Sequence, residues 1–463
     1  METPQVKTHG KAREARLELY RKKGKIHARS VSGRFNTLRW AMVWITQIVF
    51  YGACWLEWSG RQAVLFDIAH EKFYLFGLVL WPQDALLLAI ALILAATGLF
   101  LVTALAGRLF CGFACPQTVY TSIFMWIEEK VEGDHLDRLR LDQAPPGPRK
   151  LLLRTVKHGL WLAVAAWTAI SFVGYFTPIR ALLAAFPGGQ LGPWEIFWLL
   201  FYGAFTYVQA GFAREAVCQH MCPYSRFQGV MFDSATRTVS YDARRGEPRK
   251  GADGSRSGGD CIDCGICVQV CPTGIDIRDG LQYQCINCGL CADACDTVMT
   301  RVAKPIGLIR FASERELAGT PVKQGLRGRP RLVAYAGLLS AFVALGVWTV
   351  GQRSLLLVDV LRDRGSLSRE SADGLIENAY TLKIMNLAEA PRDFRVRVSG
   401  LPGIVVVGPA SFASEPGSIR AVQLTVAAPP QSGAASVRPI AFEIDALQDA
   451  ATRVVEKSTF VLP

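Results

Sequence analysis

The sequence predicts a multi-domain membrane protein in three parts: a five-helix α transmembrane bundle, a cysteine-rich domain inserted into it, and a C-terminal all-β sandwich. Three observations predict it. Five stretches carry no charge over close to the length of a bilayer crossing, which takes about 20 residues. Eight of the 13 cysteines fall between Cys261 and Cys295 in one repeated spacing. From about Leu355 onward, apolar and polar residues alternate. Composition agrees, with 51% hydrophobic and only 19% charged residues, poor in charge for a soluble chain.

The first element is a basic N-terminal arm, residues 1–39. The net charge of +12 lies wholly before residue 353, and eleven Lys and Arg residues stand between Lys7 and Arg39. Such an arm is compatible with nucleic acid, but an uncharged stretch follows at once. The positive-inside rule therefore accounts for it, and no nucleic-acid partner is read from it. The arm is too long for a cleaved signal peptide, and no small-residue cleavage site follows.

The uncharged stretches are Trp40–Leu56, Ala85–Ala106, Gly159–Phe176, Ile196–Phe212 and Leu332–Val350. Trp55, Trp58, Trp81 and Trp194 lie near their ends, as an aromatic belt would. With the N-terminus inside, the loop Trp58–Asp84 falls outside with two basic residues, and Gly107–His158 falls inside with eight. Thr177–Glu195 falls outside with one, and the basic segment Ala213–Arg331 falls inside. The reading is a multi-pass protein of a bacterial inner (cell) membrane, with a cytoplasmic cysteine-rich domain and a periplasmic C-terminal domain. Its divisions are a membrane domain at 40–243, a flexible linker at 244–259, the cysteine-rich domain at 260–300, a basic connector at 301–331, the fifth span at 332–350 and the outer domain at 355–463.

In the outer domain Phe394, Val396 and Val398 alternate with charged neighbours. So do Val422, Leu424 and Val426, then Ile440, Phe442 and Ile444, and finally the stretch 453–462. Alternation marks half-buried strands, and the Pro/Gly turns between them indicate a β-sandwich. The domain has no cysteine.

The cysteine-rich segment reads C-I-D-C-G-I-C-V-Q-V-C-P and then C-I-N-C-G-L-C-A-D-A-C-D. The spacing C-x2-C-x2-C-x3-C, twice, is the bacterial ferredoxin pattern for two [4Fe–4S] clusters, in which the fourth cysteine of each run ligates the other cluster. Cys261, Cys264, Cys267 and Cys295 are expected to hold one cluster. Cys271, Cys285, Cys288 and Cys291 are expected to hold the second. Zinc takes pairs rather than triplets with a remote fourth, and disulfides are disfavoured on a reducing face. Gly265 and Gly289 are expected to bring backbone close to the clusters. Cys271 is followed by Pro272 but Cys295 by Asp296, a departure expected to loosen the second helix start.

Four more cysteines form two copies of C-x3-C-P, at Cys111–Pro116 and Cys218–Pro223, each after an even-numbered span and a short arginine-containing stretch with Arg108 or Arg214. This is an internal repeat. If each motif is helical, its two thiols share one face, and four thiols converge at one membrane depth. Three readings stay open: inert packed thiols, a disulfide-cycling pair, or a soft-metal or redox site beside the clusters. Thiolates favour Cu(I), so Cys111, Cys115, Cys218 and Cys222 are candidate catalytic or copper ligands. His220 is a candidate ligand, proton shuttle or solvated side chain. Met221 reads as packing and Cys54 as a buried inert thiol. His9, His27, His70, His135 and His158 show no metal spacing. Glu128, Glu129 and Glu132 read as a solvated helix face. P-loop, Rossmann, zinc-protease and nucleophile-elbow patterns are absent from the sequence.

The segments G-R-L-F-C-G-F-A-C-P-Q-T-V (Gly107–Val119) and C-Q-H-M-C-P-Y-S-R-F-Q-G-V-M-F-D (Cys218–Asp233), with the double cluster motif, resemble the FixG/RdxA/CcoG polyferredoxins, accessory proteins for assembly of cbb3-type cytochrome c oxidase. The membrane half is also similar to quinol-dehydrogenase-type polyferredoxins of nitrate reductase systems. The resemblance covers nearly the whole chain. It implies an immunoglobulin-like outer domain, two [4Fe–4S] clusters and transient copper. It also implies a cupric reductase that makes Cu(I) for the oxidase, with copper-handling and oxidase-assembly proteins as partners. The electron donor is not named by the sequence, and a homodimer is admitted. The competing expectations are a quinol-linked conduit to another reductase and a non-enzymatic scaffold.

Overall fold

The computed structural model describes residues 26–249, 258–319, 329–363, 368–388, 390–430 and 437–462. The basic arm through Lys25 with His9, the middle of the 244–259 linker and most of the basic stretch ahead of the last span lie outside the described residues.

Long helices run over Arg34–Gly52, Ala85–Ala106, Pro148–Val173, Pro193–Val208 and Pro330–Gly351. Among the described residues, four stretches are long and apolar enough to cross a bilayer: Pro82–Ala106, Pro148–Val173, Pro193–Met221 and Pro330–Gly351. The first uncharged stretch is not one of them. Its helix begins with Arg34 and Arg39, which leaves Trp40–Gly52 as the uncharged part. At 1.5 Å per residue that part is only about 20 Å long. The third helix starts well before Gly159 and takes in Arg149, Lys150, Arg154 and Lys157. The fourth unwinds past Val208 into two π-turns, Gln209–Ala213 and Val217–Met221, with Arg214–Ala216 between them. Such π-bulges recur where a helix is bent to serve a site.

The chain divides into two compact units. One gathers residues 45–101, 165–204 and 329–462. Its β-sandwich has two antiparallel sheets. In the first, Val405–Val407, Ser418–Ala428, Ile376–Asn386 and Leu356–Arg362 lie in that order. In the second the order is Ser411–Ser414, Arg392–Ser399, Val437–Ala446 and Asp449–Val461. The alternating residues Phe394, Val396, Val422, Leu424, Val426, Ile440, Phe442 and Ile444 all turn into one core, joined by Tyr380, Leu382, Ile384 and Phe460. Val398 sits at its margin, half-buried. The segment Trp58–Asp84 is more than a loop. It forms a three-stranded antiparallel sheet, Val64–Asp67, Lys72–Leu75 and Leu78–Leu80. Val79 and Trp81 from this segment pack on Met385 and Leu387. Arg353, at the end of the last long helix, closes this unit through an ion pair with Asp84 at 2.6 Å. Cys54 is fully buried there, its thiol donating to the Tyr51 carbonyl at 3.3 Å.

The other unit gathers residues 26–44, 102–164 and 205–319, and holds the remaining twelve cysteines. Its cysteine-rich part is flanked by a two-stranded antiparallel ribbon, Thr238–Tyr241 with Ile309–Ala312.

Candidate functional site

The two cysteine runs fold as near-identical loops, offset by 24 positions in the chain. Asp263 and Asn287 hold φ of 54° and 53°, and Gly265 and Gly289 follow at 68° and 76°. Two left-handed residues per loop wind the backbone tightly enough to point three cysteines inward, and only glycine takes the second position without strain. Each loop runs into a helix, Ile266–Gln269 or Leu290–Arg301, which carries the third cysteine. The first helix ends after one turn, and Cys271 with Pro272 follows it. The second runs on for 12 residues, so Cys295 and Asp296 lie inside it. Asp296 therefore does not loosen a helix start. It stands where proline would break the helix, and its carboxylate accepts from the Gly307 N–H at 2.7 Å.

Two cavities lie between these loops. One is lined by Cys261, Cys264, Cys267 and Cys295, with Tyr241, Met299 and Arg278. The other is lined by Cys271, Cys285, Cys288 and Cys291, with Val239, Ile275 and Ile277, and Cys267 reaches it too. Each cavity thus offers its expected four sulfurs, the second with Cys267 as a fifth, in a largely apolar setting that fits a thiolate-ligated cluster. Burial pushes the Cys285 and Cys295 thiols up to about 12 and Cys267 to about 11. Ligation must therefore expel their protons. Arg278 pairs with Asp276 at 2.6 Å and also with Asp263, which pins the rim of the first cavity.

The two C-x3-C-P copies are not single helix faces. Cys111 lies in the short helix Leu109–Phe113, while Cys115 caps the next helix, Pro116–Glu132, in an extended conformation. Cys218 lies in a π-turn and Cys222 caps Pro223–Met231 in the same way. Both prolines occupy the first helical position, where the missing N–H costs little. The cap N–H of Cys115 donates to the Phe110 carbonyl and that of Cys222 to Val217, each five residues back, at 2.9 and 2.8 Å. At the entry to each copy, Gly107 and Arg214 share a positive φ of 57° and 28°. The repeat is therefore one of backbone geometry as well as sequence. It brings the thiols together, each within electrostatic reach of the other three. Burial, and then the Cys115 thiol, pushes Cys111 up to about 12.

The thiol group lies against the second cavity. Cys111 and Cys218 pack on Ile286, Cys288 and Leu290. A Cβ added at Gly112 would stand 2.6 Å from the Ile286 carbonyl oxygen and 3.0 Å from the Cα of Cys288. Gln219 donates to the Thr273 carbonyl at 3.2 Å. His220 is exposed in the second copy. Met221, expected as packing, is 63% exposed at the end of the π-turn Val217–Met221. Among the described residues, no three of His, Cys, Asp and Glu converge tightly enough to cage one metal ion.

Several residues have roles here that the sequence did not show. Arg108 is 2% exposed. It donates to the Tyr283 carbonyl and, at 3.4 Å, to that of Cys285. Asn287 accepts from the Cys285 thiol at 3.6 Å and from the Val239 N–H at 3.3 Å. The end of the basic arm lies on the cluster loops: the Phe35 and Asn36 N–H groups donate to Asp293 at 3.1 and 2.8 Å. Glu128 and Glu132 are buried rather than solvated. Glu128 meets Arg214 at 2.7 Å and Arg138 at 3.1 Å, and Glu132 meets Lys157 at 2.9 Å. The only sequence signal for the pair was its i, i+4 spacing, which equally describes a solvated face.

Comparison with known proteins adds the following. Residues 213–314 match the model of a 4Fe-4S dicluster domain, and residues 88–132 that of a 4Fe-4S binding domain. Residues 346–463 match the IG-like fold at the C-terminal of FixG. The chain is 39% identical to protein RdxA of Cereibacter sphaeroides over 400 residues, 83% of this chain and 84% of that one. It is 38% identical to RdxB of the same organism over 418 residues, 85% and 88% of the two chains. It is 34% identical to nitrogen fixation protein FixG of Rhizobium meliloti over 430 residues, 84% and 82%.

Proposed function

Since the chain belongs to the FixG/RdxA/RdxB family of membrane iron–sulfur electron-transfer proteins, we propose that it reduces Cu(II) to Cu(I) for assembly of a cbb3-type cytochrome c oxidase. Cys261, Cys264, Cys267 and Cys295 would hold one [4Fe–4S] cluster, and Cys271, Cys285, Cys288 and Cys291 the other. When bound, such clusters supply one-electron transfer, the stoichiometry that Cu(II) reduction requires. The observation that carries the reading is the contact of Gly112 with the Ile286–Cys288 backbone. It supports reading the thiols Cys111, Cys115, Cys218 and Cys222 as a terminal redox group beside the second quartet. Soft sulfur favours the reduced ion, and the thioether of Met221 is exposed in the second copy.

In this reading the chain crosses a bacterial inner membrane five times, through the four long apolar stretches and, first, the shorter uncharged stretch Trp40–Leu56. The cluster domain is cytoplasmic and the β-sandwich periplasmic, where it meets copper-handling and oxidase-assembly proteins. The test is Cu(II) reduction by the reduced, purified protein. Replacing all four C-x3-C-P cysteines by Ala is expected to abolish it, and an unchanged rate would refute the reading. A second reading, a quinol-linked conduit to another reductase, is favoured by one cavity. It is lined by Trp40, Trp126, Met125 and Arg39 and reaches Val270 and Pro272, the neighbours of Cys271. Cluster reduction by a quinol analogue, with no copper reduction, would select it.

A further inference from the structure

Arg108 is buried among sulfurs without a counter-charge. Its nearest electrostatic neighbours are Cys111, Cys285, Cys218 and Cys222. Among the described residues no carboxylate pairs with it, and its Nη2 is buried without a hydrogen-bond partner. Its Nη1 is spent on the Tyr283 and Cys285 carbonyls. A buried guanidinium in this position is costly unless something anionic stands beside it. Arg214, at the entry to the second repeat, is different, because Glu128 neutralises it at 2.7 Å.

The anion must come from the sulfurs. Cys111 and Cys218 pack on one cluster with Ile286, Cys288 and Leu290, and Cys115 and Cys222 cap the helices that follow them, so two chain segments 107 positions apart contribute two thiols each to one group. The segment 88–132 that matches a 4Fe-4S binding domain contains only Cys111 and Cys115. Two cysteines leave a cube half-ligated, and the other repeat brings the missing two.

We propose that Cys111, Cys115, Cys218 and Cys222 ligate a third [4Fe–4S] cluster, shared between the two repeats and charge-compensated by Arg108. Its assembly forms four iron–sulfur(Cys) bonds and releases four thiol protons to solvent. Four thiolates on a [4Fe–4S]2+ core leave a net charge of −2, which Arg108 partly offsets. Cys111 and Cys218 already pack on the loop that carries Cys288, so the third centre adjoins the second. Copper is then a substrate met at the edge of this centre, near His220, and not its tenant. The inference goes beyond the copper reading and stands without it, because it rests on the thiol group and on Arg108.

The experiment is iron and acid-labile sulfide analysis of the full-length protein, purified anaerobically in detergent, with Mössbauer spectroscopy on 57Fe-labelled material. About twelve irons per chain, all in cubane sites, are expected, against about eight for two clusters. Replacing Cys111 and Cys218 by Ser is expected to remove about four irons and leave the spectra of the other two clusters in place. About eight irons in the wild-type chain would overturn the proposal even if the variant fails to fold. So would twelve that the substitution does not change, or one copper per chain bound at the thiols of protein as isolated. Each readout is independent of copper reduction, so a failure here is distinct from a failure of the proposed reaction.

Discussion

The Arg108 guanidinium donates to the carbonyl of Cys285 at 3.4 Å while lying within electrostatic reach of Cys111 and Cys218. One buried cation therefore hydrogen-bonds the backbone of the second cluster loop and lies within electrostatic reach of the sulfurs of the membrane-half repeat. A positive charge beside a redox centre favours its reduced form. Arg108→Gln is expected to lower the reduction potential of the centre held by Cys271, Cys285, Cys288 and Cys291 by about 50–100 mV. That is the Coulomb energy of a unit charge about 8 Å away at an effective dielectric near 20. Arg108→Lys should restore most of it. EPR-monitored redox titration reads the shift, and an unchanged potential would remove Arg108 from the electrostatics of the site.

The Glu128 network predicts acid lability. Burial alone raises the pKa of this carboxyl, but Arg214, then Arg138 and Lys157, outweigh it and hold it below the ordinary carboxylate range. A depressed folded value means that Glu128 contributes stability that is fully present above its unfolded value of about 4.5. That contribution is lost as pH falls through the lower, folded value. Glu128→Gln leaves buried cations underpaired and should cost about 3–5 kcal/mol. It should also flatten the acid limb of a thermal-stability profile recorded in detergent. A variant as stable as wild type, with the same acid limb, would contradict this.

Asn378 is the inward-facing residue that sequence pattern alone does not place. Its amide donates to the Val461 carbonyl at 2.9 Å and accepts from the Val461 N–H at 3.1 Å, so a side chain of one sheet imitates a strand for the last strand of the other. Asn378→Ala leaves both half-buried backbone groups without this partner, at about 1–3 kcal/mol. The expected result is earlier thermal unfolding and faster proteolysis of the C-terminal strand in the intact protein, with iron content unchanged.

Residues that act through their near neighbours in the chain were legible, and residues that act across it were not. The cluster loops could be read because the ligand spacing and the glycines all lie within about a dozen residues of one another. The strands carrying Phe394, Leu424 and Phe442 could be read because alternation is local. The strand Ile376–Asn386 escaped because Asn378 and Asn386 point inward and break the apolar row. Arg108 looked like an ordinary basic residue at a span end. Its role appears only when segments 107 positions apart meet at the loop of Cys285. Glu128 and Glu132 looked solvated because Arg214, 86 positions away, does not show itself in a helical wheel.

Gly112 offers the most direct separation of wire from scaffold. It sits in the helix Leu109–Phe113, between Cys111 and Cys115, and its missing side chain is what admits the Ile286, Asn287 and Cys288 backbone. Backbone atoms cannot rotate aside as a flexible side chain does. Gly112→Ala must therefore push the first thiol pair off the cluster loop, at a packing cost of about 1–3 kcal/mol. The ligands of both ferredoxin quartets stay untouched, so their EPR signals and their reduction by dithionite should persist. Electron delivery beyond them should not, and copper reduction is expected to fall at least about tenfold, the factor that corresponds to 1.36 kcal/mol of barrier. Full copper reduction by Gly112→Ala protein would mean that electrons leave the cluster domain by another face, and that the C-x3-C-P thiols are not on the route.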